Sequence, residues 1–160
     1  MYSHKRVLVA LDGSTAGEAV LRFLMEIAGP LNMTVMLLHV LEPIPPPVAD
    51  GTVVVVDDIE GRRLEAEEYL APISAALRSQ GVDTSWATRR GRPADEILAA
   101  AQESGADIIA MATHGRTGVG RLLFGSVAEA VLRRAPVPVF MIREPHGVEA
   151  KQPARSAAVR

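Results

Sequence analysis

Apolar runs of strand length, each followed by a stretch of helical period, constrain this chain more than any other feature. "KRVLVAL" (5–11), "MTVMLLHV" (33–40), "ADIIAMA" (106–112) and "VFMIR" (139–143) are close to continuously apolar rather than alternating. A strand with one wet face alternates; a strand buried on both faces does not, and such burial belongs to parallel sheets covered by helices. The stretches between the runs repeat their apolar residues every three or four positions. Val20, Phe23, Leu24 and Ile27 form one such face, with Thr15 and Glu18 spaced as a capping box before it and Gly29-Pro30 after it. Ala66, Leu70, Ile73 and Leu77 form a second, capped by Asp57 or Asp58 and closed by Gly81. Pro93 suits the first turn of a third helix through Ile97, Leu98 and Ala101, ending near Gly105. Ser126 and Glu129 make another capping box, for a short helix through Val131 and Leu132. "VDTSWATRR" (82–90) alternates enough for a strand nearer the sheet edge, and Pro138 marks the last strand as an edge strand too. Residues 41–56, with Pro43, Pro45, Pro46 and Pro47, read as an insertion that is partly extended.

The resulting order, β-α-β-α-β-α-β-α-β, predicts the α/β class: a single three-layer α/β/α domain with a five-stranded, mostly parallel sheet and right-handed crossovers. A length of 160 residues and a mass of 17.1 kDa suit one such domain over residues 1–143, followed by a flexible tail over 144–160 that lacks periodicity. Two strand orders, 2-1-3-4-5 and 3-2-1-4-5, put the first strand in the centre, and ligands of such sheets bind beyond the strand carboxyl ends where the order reverses. In the second order that crevice lies between strands one and four, lined by Asp12-Gly13-Ser14 and by the residues that follow Met111.

Composition removes several function classes. With 48% hydrophobic and 22% charged residues the chain is globular, not disordered. A formal net charge of -2 and a pI near 6.1 argue against a general nucleic-acid binder, which carries a basic face. The absence of cysteine excludes disulfides, thiol catalysis, thiolate zinc sites and cysteine-ligated clusters. No apolar run nears the roughly 20 residues that span a bilayer, and Met1 to Arg6 show no secretory segment, so no membrane association and a cytoplasmic location are expected.

The residues after the fourth strand are permissive and basic: "ATHGRTGVGRLLFGS" (112–126) holds four glycines and two arginines. Gly120 to Gly125 has Walker A spacing, but Ser126 stands where that motif requires lysine, and the two lysines, Lys5 and Lys151, are remote in sequence. No G-x-G-x-x-G follows the first strand. What remains is a helix N-terminus at Ser126, with free amides, a positive dipole end and arginines nearby, which suffices physically for an anion. Singly, each residue has a plainer reading. Ser126 is a helix cap, Gly115 and Gly125 serve positive-φ turns, Asp12 ends a strand, His114 is a loop histidine, and Arg116 and Arg121 are surface charges. His39, closing the second strand, reads as locally satisfied, and no two histidines have metal-site spacing.

In combination the residues resemble the universal stress protein family over essentially residues 4 to 143. The family's nucleotide-binding members carry G-x-x-G, nine residues, then G-S or G-T; here Ala112-Thr-His-Gly115 precedes the nine residues Arg116 to Phe124 and then Gly125-Ser126. "VLVALDGS", "THGRTG" and "GSVAEAVLRRAPVPVFMIR" are similar to the family as well. Ala112 is the one departure, and its methyl would crowd only a ligand that approaches the backbone very closely. The resemblance implies the 3-2-1-4-5 sheet of adenine-nucleotide α-hydrolase-like proteins, with ATP as ligand and Mg²⁺ arriving on its phosphates. It implies a regulator or sensor of stress physiology, with no metabolic enzyme activity assigned. Asp12 would sit at the nucleotide beside Ala10, Leu11 and Ser14 and would be the contact for Mg²⁺, while Val40 and Met111 would flank adenine. Gly115 and Arg116 would meet the phosphates, with Ala112, His114 and Gly118 in the same stretch and the amides of Gly125, Ser126 and Val127 opposite. A nucleotide-free interaction module working through a protein partner is the alternative. A pyrophosphatase-type enzyme would need an S-G-G-x-D-S loop that "LDGSTAG" does not provide. The apolar last strand, at a sheet edge, implies a homodimer formed through it.

Overall fold

The computed structural model describes residues 5–15, 17–44, 48–49, 52–53, 58–113 and 125–143. The expected tail over 144–160 and the glycine-rich stretch 114–124 lie outside the described residues. The elements are β1 (Arg6–Leu11), α1 (Ala19–Ile27), β2 (Thr34–Leu41), β3 (Val48–Ala49), β4 (Thr52–Val53), α2 (Ile59–Ser79), β5 (Asp83–Arg90), α3 (Pro93–Ser104), β6 (Ile108–Thr113), α4 (Ser126–Arg134) and β7 (Val139–Arg143). Five of the strands form one sheet in the order β5-β2-β1-β6-β7, every pair parallel. Numbered within that sheet, this is the expected 3-2-1-4-5. The expected insertion contributes the small antiparallel pair β3-β4.

The pleat sorts the central strand between two cores. Val7, Val9 and Leu11 of β1 join Val20, Leu21 and Leu24 of α1 and Leu70 and Leu77 of α2 on one face of the sheet. Leu8 points the other way, to Ile97 and Ala100 of α3 and Ala128 and Val131 of α4. Both faces of β1 are thus dry, which is why its sequence does not alternate. Leu8, Leu37, Leu38, Leu70 and Ile109 are fully buried, and each removes roughly 2 kcal/mol of apolar surface energy from water.

Helix ends mostly follow the sequence signals. Asp58 caps α2 by accepting from the Gly61 amide at 2.9 Å. Pro93 opens α3, and Gly105, at φ 62, closes it in the left-handed region. Two expected capping boxes do not form. The Thr15/Glu18 box gives way to Ser14, whose hydroxyl accepts from the Gly17 amide at 2.9 Å, and α1 begins only at Ala19. At α4 the N-cap is Gly125, and Ser126 is already the first helical residue, so its hydroxyl does not cap. Leu132, expected on the apolar face of α4, is 47% exposed, and Val131 alone of the pair is buried. The expected face of α1 loosens at Phe23, which stacks on Phe140 of β7 with ring centroids 4.8 Å apart. Pro72 lies inside α2, where it withholds one ladder hydrogen bond.

Candidate functional site

The strand order reverses at β1, whose neighbours β2 and β6 lead to helices on opposite faces of the sheet. Beyond the carboxyl ends of these three strands lies a cavity of about 460 Å³. Its floor is Ala10 and Leu11 of β1, paired in register with Leu38 and His39 of β2, with Met111 of β6 beside Ala10. One wall is apolar, made by Val40, Pro93 and Ile97. The start of α4 lines the same space through Gly125, Ser126, Val127 and Ala128. The first amides of that helix have no partner within the helix, and its dipole adds partial positive charge there. Asp12, Gly17, Glu42 and Arg62 supply the polar rim.

Each polar group is held by its own local chemistry. Asp12 Oδ1 accepts from the Ser14 amide at 3.0 Å and from the Ser14 hydroxyl at 2.6 Å. Arg62 projects from the first turn of α2 and donates through Nη2 to the Glu42 carbonyl at 2.8 Å. His39 stands between this cavity and a second recess of about 290 Å³ that Arg62 also borders, together with Gly13, Glu65 and Tyr69. Burial holds the His39 imidazole below its ordinary pKa, and the nearby Arg62 charge acts in the same direction; a Leu11 backbone hydrogen bond and the Asp12 charge oppose them. The Nδ1 of His39 is buried without a partner among the described residues, so its expected local satisfaction is incomplete. The Tyr69 ring meets His39 edge-on at 6.3 Å, and burial, followed by the negative charges of Glu18 and Asp12, pushes its hydroxyl pKa up.

Nine sequence-predicted residues come together at the cavity: Ala10, Leu11, Asp12, Val40, Met111, Ala112, Gly125, Ser126 and Val127. Ser14 stands one shell back and touches Asp12 instead. His114, Gly115, Arg116 and Gly118 lie outside the described residues. Sequence reading missed Gly17, Leu38, His39, Glu42, Arg62, Pro93, Ile97, Thr113 and Ala128 among the lining residues. Leu38, His39 and Glu42 lie at the carboxyl end of β2 beside Val40, the one residue there that the family resemblance supplied, and the position of that strand end could have pointed to them. Arg62 was not, because its place depends on how α2 packs. Among the described residues no group of acids and histidines could by itself hold a metal ion. No helix among them is long and apolar enough to cross a membrane.

The model of the Universal stress protein family matches residues 3–143. A universal stress protein of Thermus aquaticus is 33% identical over 140 residues, covering 87% of this chain and 98% of the relative. The structure of MJ0577, a universal stress protein of Methanocaldococcus jannaschii, superposes with a TM-score of 0.71 at 26% identity, over 91% of this chain and 100% of the other. A universal stress protein from Archaeoglobus fulgidus, solved in complex with dAMP, gives a TM-score of 0.60 at 27% identity, over 88% and 98% of the two chains.

Proposed function

We propose that this chain, which belongs to the universal stress protein family, binds ATP in the switch-point cavity and acts as a nucleotide-responsive regulator of the stress response. The observation that carries this reading is the cavity's make-up: apolar side chains and a helix N-terminus line one space. Val40, Met111, Pro93 and Ile97 offer a purine the flat apolar surface it needs, and the amides of Ser126 and Val127 offer a phosphate its donors. A volume of about 460 Å³ suits a ligand of nucleotide size. The relative from Archaeoglobus fulgidus, solved with dAMP, supports an adenine nucleotide as the class of ligand.

Mg²⁺ comes to this site on the phosphates, with Asp12 the carboxylate that lines the cavity at the end of β1. His114, Gly115, Arg116 and Gly118 complete the phosphate contacts in this reading. The protein acts as a homodimer joined through β7, the edge strand beside β6. Mass spectrometry of protein purified under mild conditions tests the reading. Co-purified ATP is the expected result, and a pocket that stays empty after incubation with Mg²⁺ and ATP contradicts it.

A further inference from the structure

Gly17 is a glycine with no backbone reason to be one. Among the described residues the glycines at positive φ are Gly13, Gly81, Gly91 and Gly105, and Gly17 is not one of them. What the position lacks is room for a Cβ while Asp12 stays where it is: a Cβ would fall 2.4 Å from Asp12 Oδ1, 3.2 Å from the Ser14 carbonyl oxygen and 3.3 Å from Ser14 Oγ, so Asp12 would have to move. The space a side chain would occupy is therefore taken by the carboxylate of Asp12, and both Asp12 and Gly17 line the cavity. The same three residues form a directed chain of hydrogen bonds. The Gly17 amide donates to Ser14 Oγ at 2.9 Å, and that hydroxyl donates to Asp12 Oδ1 at 2.6 Å, joined there by the Ser14 amide at 3.0 Å. Accepting from an amide polarises a hydroxyl as a donor, so the chain strengthens toward the carboxylate.

We infer that Gly17 and Ser14 are positioning residues that lock the Asp12 carboxylate into the ligand cavity, Gly17 by leaving it room and Ser14 by holding one of its oxygens. Closing the turn ahead of α1 is the ordinary use of such a serine. That role alone would leave only the two milder Ser14 contacts at residue 17 and does not call for the 2.4 Å approach of Asp12 Oδ1. The inference rests on the nucleotide reading of the cavity, because the lock matters only if Asp12 meets the ligand.

A double-mutant cycle separates the two. Calorimetric ATP affinity is measured, with Mg²⁺ present, for wild type, Gly17→Ala, Ser14→Ala and Asp12→Ala, and for each of the first two variants combined with Asp12→Ala. Gly17→Ala and Ser14→Ala should each weaken ATP binding by about tenfold when Asp12 is present and by less than about twofold when it is absent. Equal losses in both backgrounds, or no loss in either, would overturn the inference. Amide chemical shifts of Ser14 and Gly17 give a readout that needs no ligand. The Ser14 amide should move in Asp12→Ala and the Gly17 amide in Ser14→Ala, and unmoved amides would remove the relay. A wild-type protein that binds no ATP, while these shifts move as expected, would instead overturn the nucleotide reading and with it the positioning role.

Discussion

At the residue scale the site depends on a few side chains whose surroundings differ from those their sequence neighbours suggest. Ser126 was read as a cap, yet Gly125 holds that position and the serine hydroxyl is left to the cavity. Ser126→Ala should therefore change unfolding free energy by less than about 0.5 kcal/mol, because no cap is lost. Its ATP affinity should fall by about fivefold to tenfold, as for one lost hydrogen bond to a charged group. Urea denaturation and calorimetry on the same preparation check both halves, and a stability loss of about 1 kcal/mol would restore the capping role. His39 gives a pH prediction. Its folded pKa lies below the ordinary 6.5, chiefly through burial, so the unfolded chain takes up the proton first as pH falls. Its contribution to stability is complete above about 6.5 and is lost as pH drops from there toward the folded value. Urea midpoints should fall between about pH 7.5 and about pH 5, and fall less in His39→Gln; an equal fall in the variant would assign the effect to other groups. Neither behaviour was legible in the sequence. Both depend on which atoms lie within a few ångströms across the sheet, and Gly17 looks like any loop glycine until the Asp12 carboxylate is placed beside it.

Elements were more legible than residues, because their signals are periodic and local. The strands of the main sheet, and all four helices, fall where the apolar patterns put them, and Asp58, Pro93 and Gly105 mark their helix ends as expected. Pro72 did not register as a feature, since the apolar period of α2 continues through it. It is exposed and sits in mid-helix. Pro72→Ala should then stabilise the protein by about 1–3 kcal/mol, by restoring a ladder bond and helix propensity. A lower urea midpoint would mean that α2 needs its bend to seat Leu70 and Leu77. The last strand poses a different question. In β7, Phe140 and Ile142 pack toward the α1 core and Val139 and Met141 toward the α3–α4 core, and all four remain half-buried at the sheet edge. An apolar edge of this kind invites pairing with a second copy across a two-fold axis. Light scattering should report about twice 17.1 kDa, and Met141→Pro should yield monomer or aggregate. A stable wild-type monomer at high concentration would remove β7 as the joint.

At the scale of the whole molecule, the parallel order 3-2-1-4-5 follows from how the chain alternates, and that order alone brings Asp12 beside the start of α4. A binding place could thus be named from sequence, because a doubly covered sheet has its crevice where the order reverses. The far rim could not, since Glu42 and Arg62 reach the cavity from beyond β2 and from α2. The central claim is that this crevice holds ATP with its phosphates against the first turn of α4. Gly125 tests it most directly, because among the described residues an added Cβ there meets nothing within 4 Å and its φ of -47 suits any residue. A Cβ at residue 125 therefore meets no described residue, at a position that lines the cavity. Calorimetric titration of Mg²⁺ and ATP into wild type and Gly125→Val, both shown folded by circular dichroism, is the deciding measurement. The account predicts saturable one-to-one binding to the wild type and a loss of at least about a hundredfold in the variant. Equal affinity in the two proteins would contradict it.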